Sequence, residues 1–205
     1  MASKKSKRKK VRRIFLGLSG LILLVLAIRY MASYDVPYIY RLGTNNVKFT
    51  DKYDPDATLL IPAAYSNPDH TVQGEYRIAG KIYGEPNRLE RISIHPTKGL
   101  VISGRWQSNY GFQQTVLIKN NKIRYHKDKR LAFRRALGTV DGKLAILQSK
   151  VPMTLNQFSE SIHKYCNNAV NLDMGDYGYG WYKRKKFSRI FKYNRDKQTN
   201  WLYLP

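Results

Sequence analysis

The chain has 205 residues, 42% of them hydrophobic, which is room for one domain with a substantial core once an N-terminal segment is set aside. A formal net charge of +23 suits polyanionic partners such as phosphorylated glycans, but no nucleic-acid-binding motif accompanies it, so nucleic acid is not expected as a partner. One cysteine, Cys166, excludes an intrachain disulfide and a cysteine-built metal site; the absence of His-x-x-x-His and Walker-type glycine loops leaves zinc-protease and P-loop readings without support.

In chain order, Lys4 to Arg13 is a dense basic run, and after it comes the uncharged apolar stretch Ile14 to Ile28, closed by Arg29. The positive-inside rule keeps residues 1–13 in the cytoplasm and exports the remainder of the chain. Residues 14–33 are expected to be a transmembrane signal anchor, with a cleaved signal peptide as the alternative, so that the domain is extracytoplasmic and meets the membrane through its N-terminal segment. Residues 34–57, polar, aromatic and rich in turn formers, read as a stalk. Short strands come next. Leu59 to Tyr65 is apolar, with Pro62 marking an edge or a bulge. Hairpins are expected around Ala79-Gly80, at Asn120-Asn121 and at Asp141-Gly142, the last joining Arg134-Arg-Ala-Leu-Gly138 to Lys143 to Ser149.

Thr154 and Gln157 have capping-box spacing, and Leu155, Phe158, Ile162 and Cys166 recur at helical intervals, which predicts a helix from Thr154 to about Cys166. Cys166 near its end reads as a small buried hydrophobe. Trp201 to Leu204 reads as a closing strand. Strands in a row with one late helix predict an α+β fold over 58–205: a single domain in which a mixed or antiparallel sheet packs on few helices.

Ala169 to Trp181 carries the chemistry-bearing pattern. Strand alternation sends Val170 and Leu172 to one face and Asn171 and Asp173 to the other. Gly175, Gly178 and Gly180 then permit tight turns and close backbone approach to a ligand. The stretch reads as a strand bringing Asn171 and Asp173 to the mouth of a glycine-lined pocket, with Asp176 just beyond; an Asp in an ordinary turn is the plainer reading.

The order Arg134 to Gly138, hairpin, helix and Asn171-Leu-Asp173 resembles the phosphodiester glycosidase family, which shows an Arg-Thr-Ala-Ile-Gly-like strand, a hairpin, a helix and then Asn-Leu-Asp-Gly-Gly. Met174 stands where the family has the first glycine of that pair. The family's upstream Asn-Gly-Gly-Phe signature would fall near Ile61 to Asn67 and is not recognisable there. The resemblance implies hydrolysis of a sugar-1-phosphodiester in a phosphate-containing glycan. Asp173 is then the carboxylate that activates water or stabilises oxocarbenium-like charge, Asn171 orients substrate, and Asp176 is a candidate second carboxylate. A guanidinium fork fits phosphate oxygens, so Arg134 or Arg135 is the phosphate ligand; alternation lets only one face the site, and the family match favours Arg135.

Among four histidines, His95, at a strand end before Pro96, is the candidate with most to offer. No cofactor is expected, and the oxygens of Asn171, Asp173 and Asp176 are too few to predict a divalent cation. The alternative to an enzyme is a non-catalytic relative that binds anionic glycan or envelope polymer through the basic, aromatic face Lys183 to Lys197.

Overall fold

Four two-residue turns set the architecture. Ala79-Gly80, Asn120-Asn121, Asp141-Gly142 and Lys183-Arg184 each have both residues at positive φ, the backbone hand that matches the twist of a tight antiparallel hairpin. Glycine and asparagine reach it at little cost, whereas Ala79, Lys183 and Arg184 are strained there and are held by the strands they join. The computed structural model describes residues 17–28, 36–174, 179–187 and 199–205. They fall into two units, Met1–Val36 and Pro37–Pro205. In the first, residues 17–28 form helix α1.

The second unit begins with β1 (Tyr38–Arg41), β2 (Lys48–Thr50), β3 (Leu59–Pro62), β4 (Tyr76–Ile78) and β5 (Lys81–Tyr83). Next come β6 (Glu90–His95), β7 (Gly99–Ser103), β8 (Gly111–Gln114), β9 (Val116–Lys119) and β10 (Lys122–Ile123). Strands β11 (Arg135–Val140) and β12 (Lys143–Gln148) precede helix α2 (Leu155–His163) and β13 (Ala169–Asn171). The chain closes with β14 (Trp181–Tyr182), β15 (Lys185–Lys186) and β16 (Trp201–Leu204). Three sheets result, with strand orders β1-β12-β11-β13-β9-β10, β15-β14-β3-β16-β2 and β5-β4-β8-β6-β7.

All three sheets feed one core. Alternate residues Leu137, Leu144, Ile146, Val170 and Leu172 of the first sheet meet Phe49, Leu59 and Ile61 of the second and Ile92, Ile94 and Phe112 of the third. Phe49 and Phe112 stack with ring centroids 5.2 Å apart, joining two of the sheets through one aromatic contact. Helix α2 packs on β9 and β10 and is closed at its start by a complete capping box. Thr154 Oγ1 accepts from Gln157 N at 3.2 Å, and Gln157 Oε1 accepts from Thr154 N at 2.9 Å.

Two expectations are corrected. The fold is predominantly β rather than α+β: every sheet pairing is antiparallel, and the folded unit has one nine-residue helix among the described residues. Antiparallel neighbours need no helical crossover, and β4–β5, β6–β7, β9–β10, β11–β12 and β14–β15 are joined by short turns. The transmembrane segment is also not found: among the described residues no helix is long and apolar enough to cross a membrane. Of the expected segment 14–33, the structure describes residues 17–28. Within the stretch read as a stalk, β1 pairs with β12 and β2 with β16.

Candidate active-site cleft

Register decides which side chains share a face. Asn171 lies opposite Ala136 in the β11–β13 pairing, and the Leu172 amide donates to Arg135 O at 2.9 Å. Two residues onward on one strand and two back on the other, Asp173 and Arg134 fall on the face of Asn171, while Arg135 shares the core face with Leu172. Asp173 and Arg134 both line a cleft of about 330 Å³, with Tyr65, Asn171 and Met174 on one side and the loop from Asp128 to Arg134 on the other.

Backbone bonds fix the floor. The Asp173 amide donates to Ala63 O at 2.9 Å, tying the end of β13 to the segment after β3. Asn200, fully buried, clamps that segment like a missing strand: its Oδ1 accepts from Ala64 N at 2.7 Å and its Nδ2 donates to Ala64 O at 3.2 Å. The clamp presents Tyr65 to the cleft. Asn171 Nδ2 donates to the Tyr65 hydroxyl at 2.7 Å and to Leu172 O at 3.1 Å. Asn171 is 4% exposed, and its Oδ1 has no hydrogen-bond partner among the described residues. A buried acceptor left in that state costs about 1–3 kcal/mol, and a ligand hydroxyl would recover it.

The charges interact. Burial raises the Tyr65 phenol above its usual range and the Asp173 carboxylate adds to the rise, while hydrogen bonds from Thr115 and Asn171 and the Arg134 charge oppose it. Arg134 is lowered, mainly by burial. Its Nε donates to Met153 O at 3.0 Å and its Nη2 to Arg130 O, which spends two of the five N–H groups of a guanidinium and fixes its plane. At the rim, Arg130 grips Asp128 with Nε to Oδ1 at 3.0 Å and Nη2 to Oδ2 at 2.8 Å, and holds that carboxyl down at about 2.

Arg135 has another task. It is 0% exposed; Nε and Nη2 donate to Gln148 Oε1 at 3.2 and 3.1 Å, and Nη1 donates to Tyr179 O at 2.7 Å. The guanidinium carbon lies 5.0 Å from the centre of the Phe187 ring. Burial pulls it down to about 9, which leaves it charged at neutral pH. Arg135 therefore fastens the end of the glycine-containing stretch, at Tyr179, to β11, and it is Arg134 that lines the cleft with Asp173. Asp176 lies outside the described residues.

His95 is in a different place. It lines a separate cleft that shares no residue with the one around Asp173, and its Nδ1 accepts from the Thr97 and Lys98 amides at 3.2 and 3.3 Å. Cys166 is buried and pushed up to about 12, so it carries no reactive thiolate. Two cleft residues, Tyr65 and Asp128, have no sequence signal beyond their residue types, since long-range contacts place both. Tyr65 does lie inside the stretch Ile61 to Asn67 where the family signature would fall.

No family model matches the chain, and no curated protein matches it in sequence. Its fold is similar to the solved structure of the zebrafish N-acetylglucosamine-1-phosphodiester alpha-N-acetylglucosaminidase catalytic domain auto-inhibited by pro-peptide. That match has a TM-score of 0.56 at 13% identity and covers 82% of this chain and 72% of the other. The two share a fold across a remote structural relationship.

Proposed function

We propose that the cleft hydrolyses a sugar-1-phosphodiester within a phosphate-containing glycan. The observation that carries this reading is a single opening lined by the Asp173 carboxylate, the backbone-anchored Arg134 guanidinium and the unsatisfied buried acceptor Asn171 Oδ1, with the Asp128 carboxylate already paired to Arg130 at the rim. Arg134 takes the phosphate oxygens with the N–H groups that its backbone contacts leave over. The bond between the anomeric carbon and the phosphate oxygen breaks, and the electron pair leaves with the phosphate. Asp173 faces the positive charge growing on the sugar ring or draws a proton from the incoming water. Asn171 accepts from a sugar hydroxyl, and Tyr65 holds the Asn171 amide in place.

The test is release of free sugar from a sugar-1-phosphodiester. Asp173→Asn is expected to lower the rate by about 10³-fold with melting unchanged, within the range for a removed acid–base group. Equal rates in the two proteins refute the assignment.

A second reading has its own observation. Lys183, Arg184, Lys185 and Lys186 are all exposed on the β14–β15 hairpin, a run of four cations at a sheet edge; the rest of Lys183 to Lys197 beyond Phe187 lies outside the described residues. Salt-sensitive binding of polyanions without turnover would favour this reading.

A further inference from the structure

The cleft that holds His95 has about 680 Å³, roughly twice the volume of the one around Asp173. Asn45 anchors it to the turn end of the β11–β12 hairpin: Nδ2 donates to Thr97 O and Gly142 O at 3.4 Å, and Oδ1 accepts from Leu144 N at 3.0 Å. Arg134 precedes the other end of β11, so the six residues of that strand, about 20 Å, separate the two openings.

The lining is rigid in backbone and unspent in side chain. Arg77 Nη1 donates to Ser108 O at 2.9 Å, the Gly80 amide to Asn109 O at 2.9 Å and the Ile94 amide to Tyr110 O at 3.0 Å. The amide groups of Asn46, Gln107 and Asn109, which line the cleft, make no side-chain hydrogen bond among the described residues. Lys48 Nζ stands 5.8 Å from the centre of the Tyr110 ring. Because His95 Nδ1 accepts two backbone N–H groups, a neutral ring carries its proton on Nε2, a second donor. No acidic side chain lines the opening, and buried Val47 and Ile94 supply an apolar floor.

We propose that this second cleft binds an anionic saccharide. Exposed amides on a hydrogen-bonded backbone suit ring hydroxyls, each able to give and receive a hydrogen bond, and the single lysine suits one phosphate or carboxylate. A bare anion would use the N–H groups of the three amides and leave their oxygens without a donor. Binding here is independent of hydrolysis at Asp173.

Titrating the full chain with glucose 6-phosphate, glucose and inorganic phosphate, monitored by amide NMR shifts, tests it. Glucose 6-phosphate is expected to move residues 46–48, 95 and 107–110 saturably, at least tenfold more tightly than either fragment. Lys48→Glu is expected to weaken that binding by about tenfold, and Asn109→Ala by a smaller factor, with melting unchanged and any turnover at Asp173 unaffected. Equal affinity for inorganic phosphate, shifts confined to the Tyr65 and Arg134 neighbourhood, or no saturable shift would each overturn it.

Discussion

Two neighbouring arginines leave the start of β11 in opposite directions. Arg134 is half-buried in a cleft beside a carboxylate and keeps N–H groups available to a ligand. Arg135 is closed inside the sheet packing, bonded to Gln148 and Tyr179 and facing Phe187. Residue type and neighbourhood in sequence are the same, yet one lines a cleft and the other is enclosed in the packing. The difference is one step of strand parity, and parity is fixed by pairing with β12 and β13.

The sharpest way to break this contrast is to shorten the buried member. Arg135→Ala removes the N–H groups that Gln148 Oε1 and Tyr179 O accept and opens a void where the guanidinium lay. Unfolding in urea is expected to show a loss of about 3–5 kcal/mol. A loss below about 1 kcal/mol would mean that the side chain is not integral to the fold.

Arg134→Ala should do the reverse. Its contacts go to two backbone carbonyls at a half-open site, so stability is expected to change by no more than about 1 kcal/mol. Turnover of a sugar-1-phosphodiester is expected to fall by about 10²-fold, carried mostly by kcat if the cation meets charge that grows on the departing phosphate. Similar damage to stability from both variants would erase the distinction.

The smallest effect concerns the rim. The Asp128 carboxyl is held at about 2 by Arg130, below an ordinary aspartate near 3.9. A depressed acid stabilises the fold above its unfolded value and loses that contribution as pH falls through its folded value, so the contact weakens between about 4 and 2. Carbon-detected NMR should give Asp128 a midpoint near 2, and Arg130→Gln should move it up toward 3.9. An unchanged midpoint would show that Arg130 is not its cause.

Local patterns carried a good part of this into the sequence. Thr154 and Gln157 announce their capping box, and Asp141-Gly142 announces its turn, because the atoms involved are a few residues apart. The alternation that puts Asn171 and Asp173 together is equally local. What Arg134 and Arg135 do is not, since alternation says only that they differ; deciding which is which needs the pairing partners. Tyr65 reaches the cleft through Asn200, 135 positions away, and no local rule links them. The α+β expectation fails for a similar reason: one well-marked helix stands out more in a sequence than the many short strands that make up the sheets.

The most direct test is a crystal structure of the Asp173→Asn variant soaked with a sugar-1-phosphodiester. The account expects the phosphate within hydrogen-bond distance of the Arg134 guanidinium, a ring hydroxyl on Asn171 Oδ1, and the anomeric carbon facing position 173. A substrate bound elsewhere, or lying in this cleft with its phosphate turned away from Arg134, would contradict it.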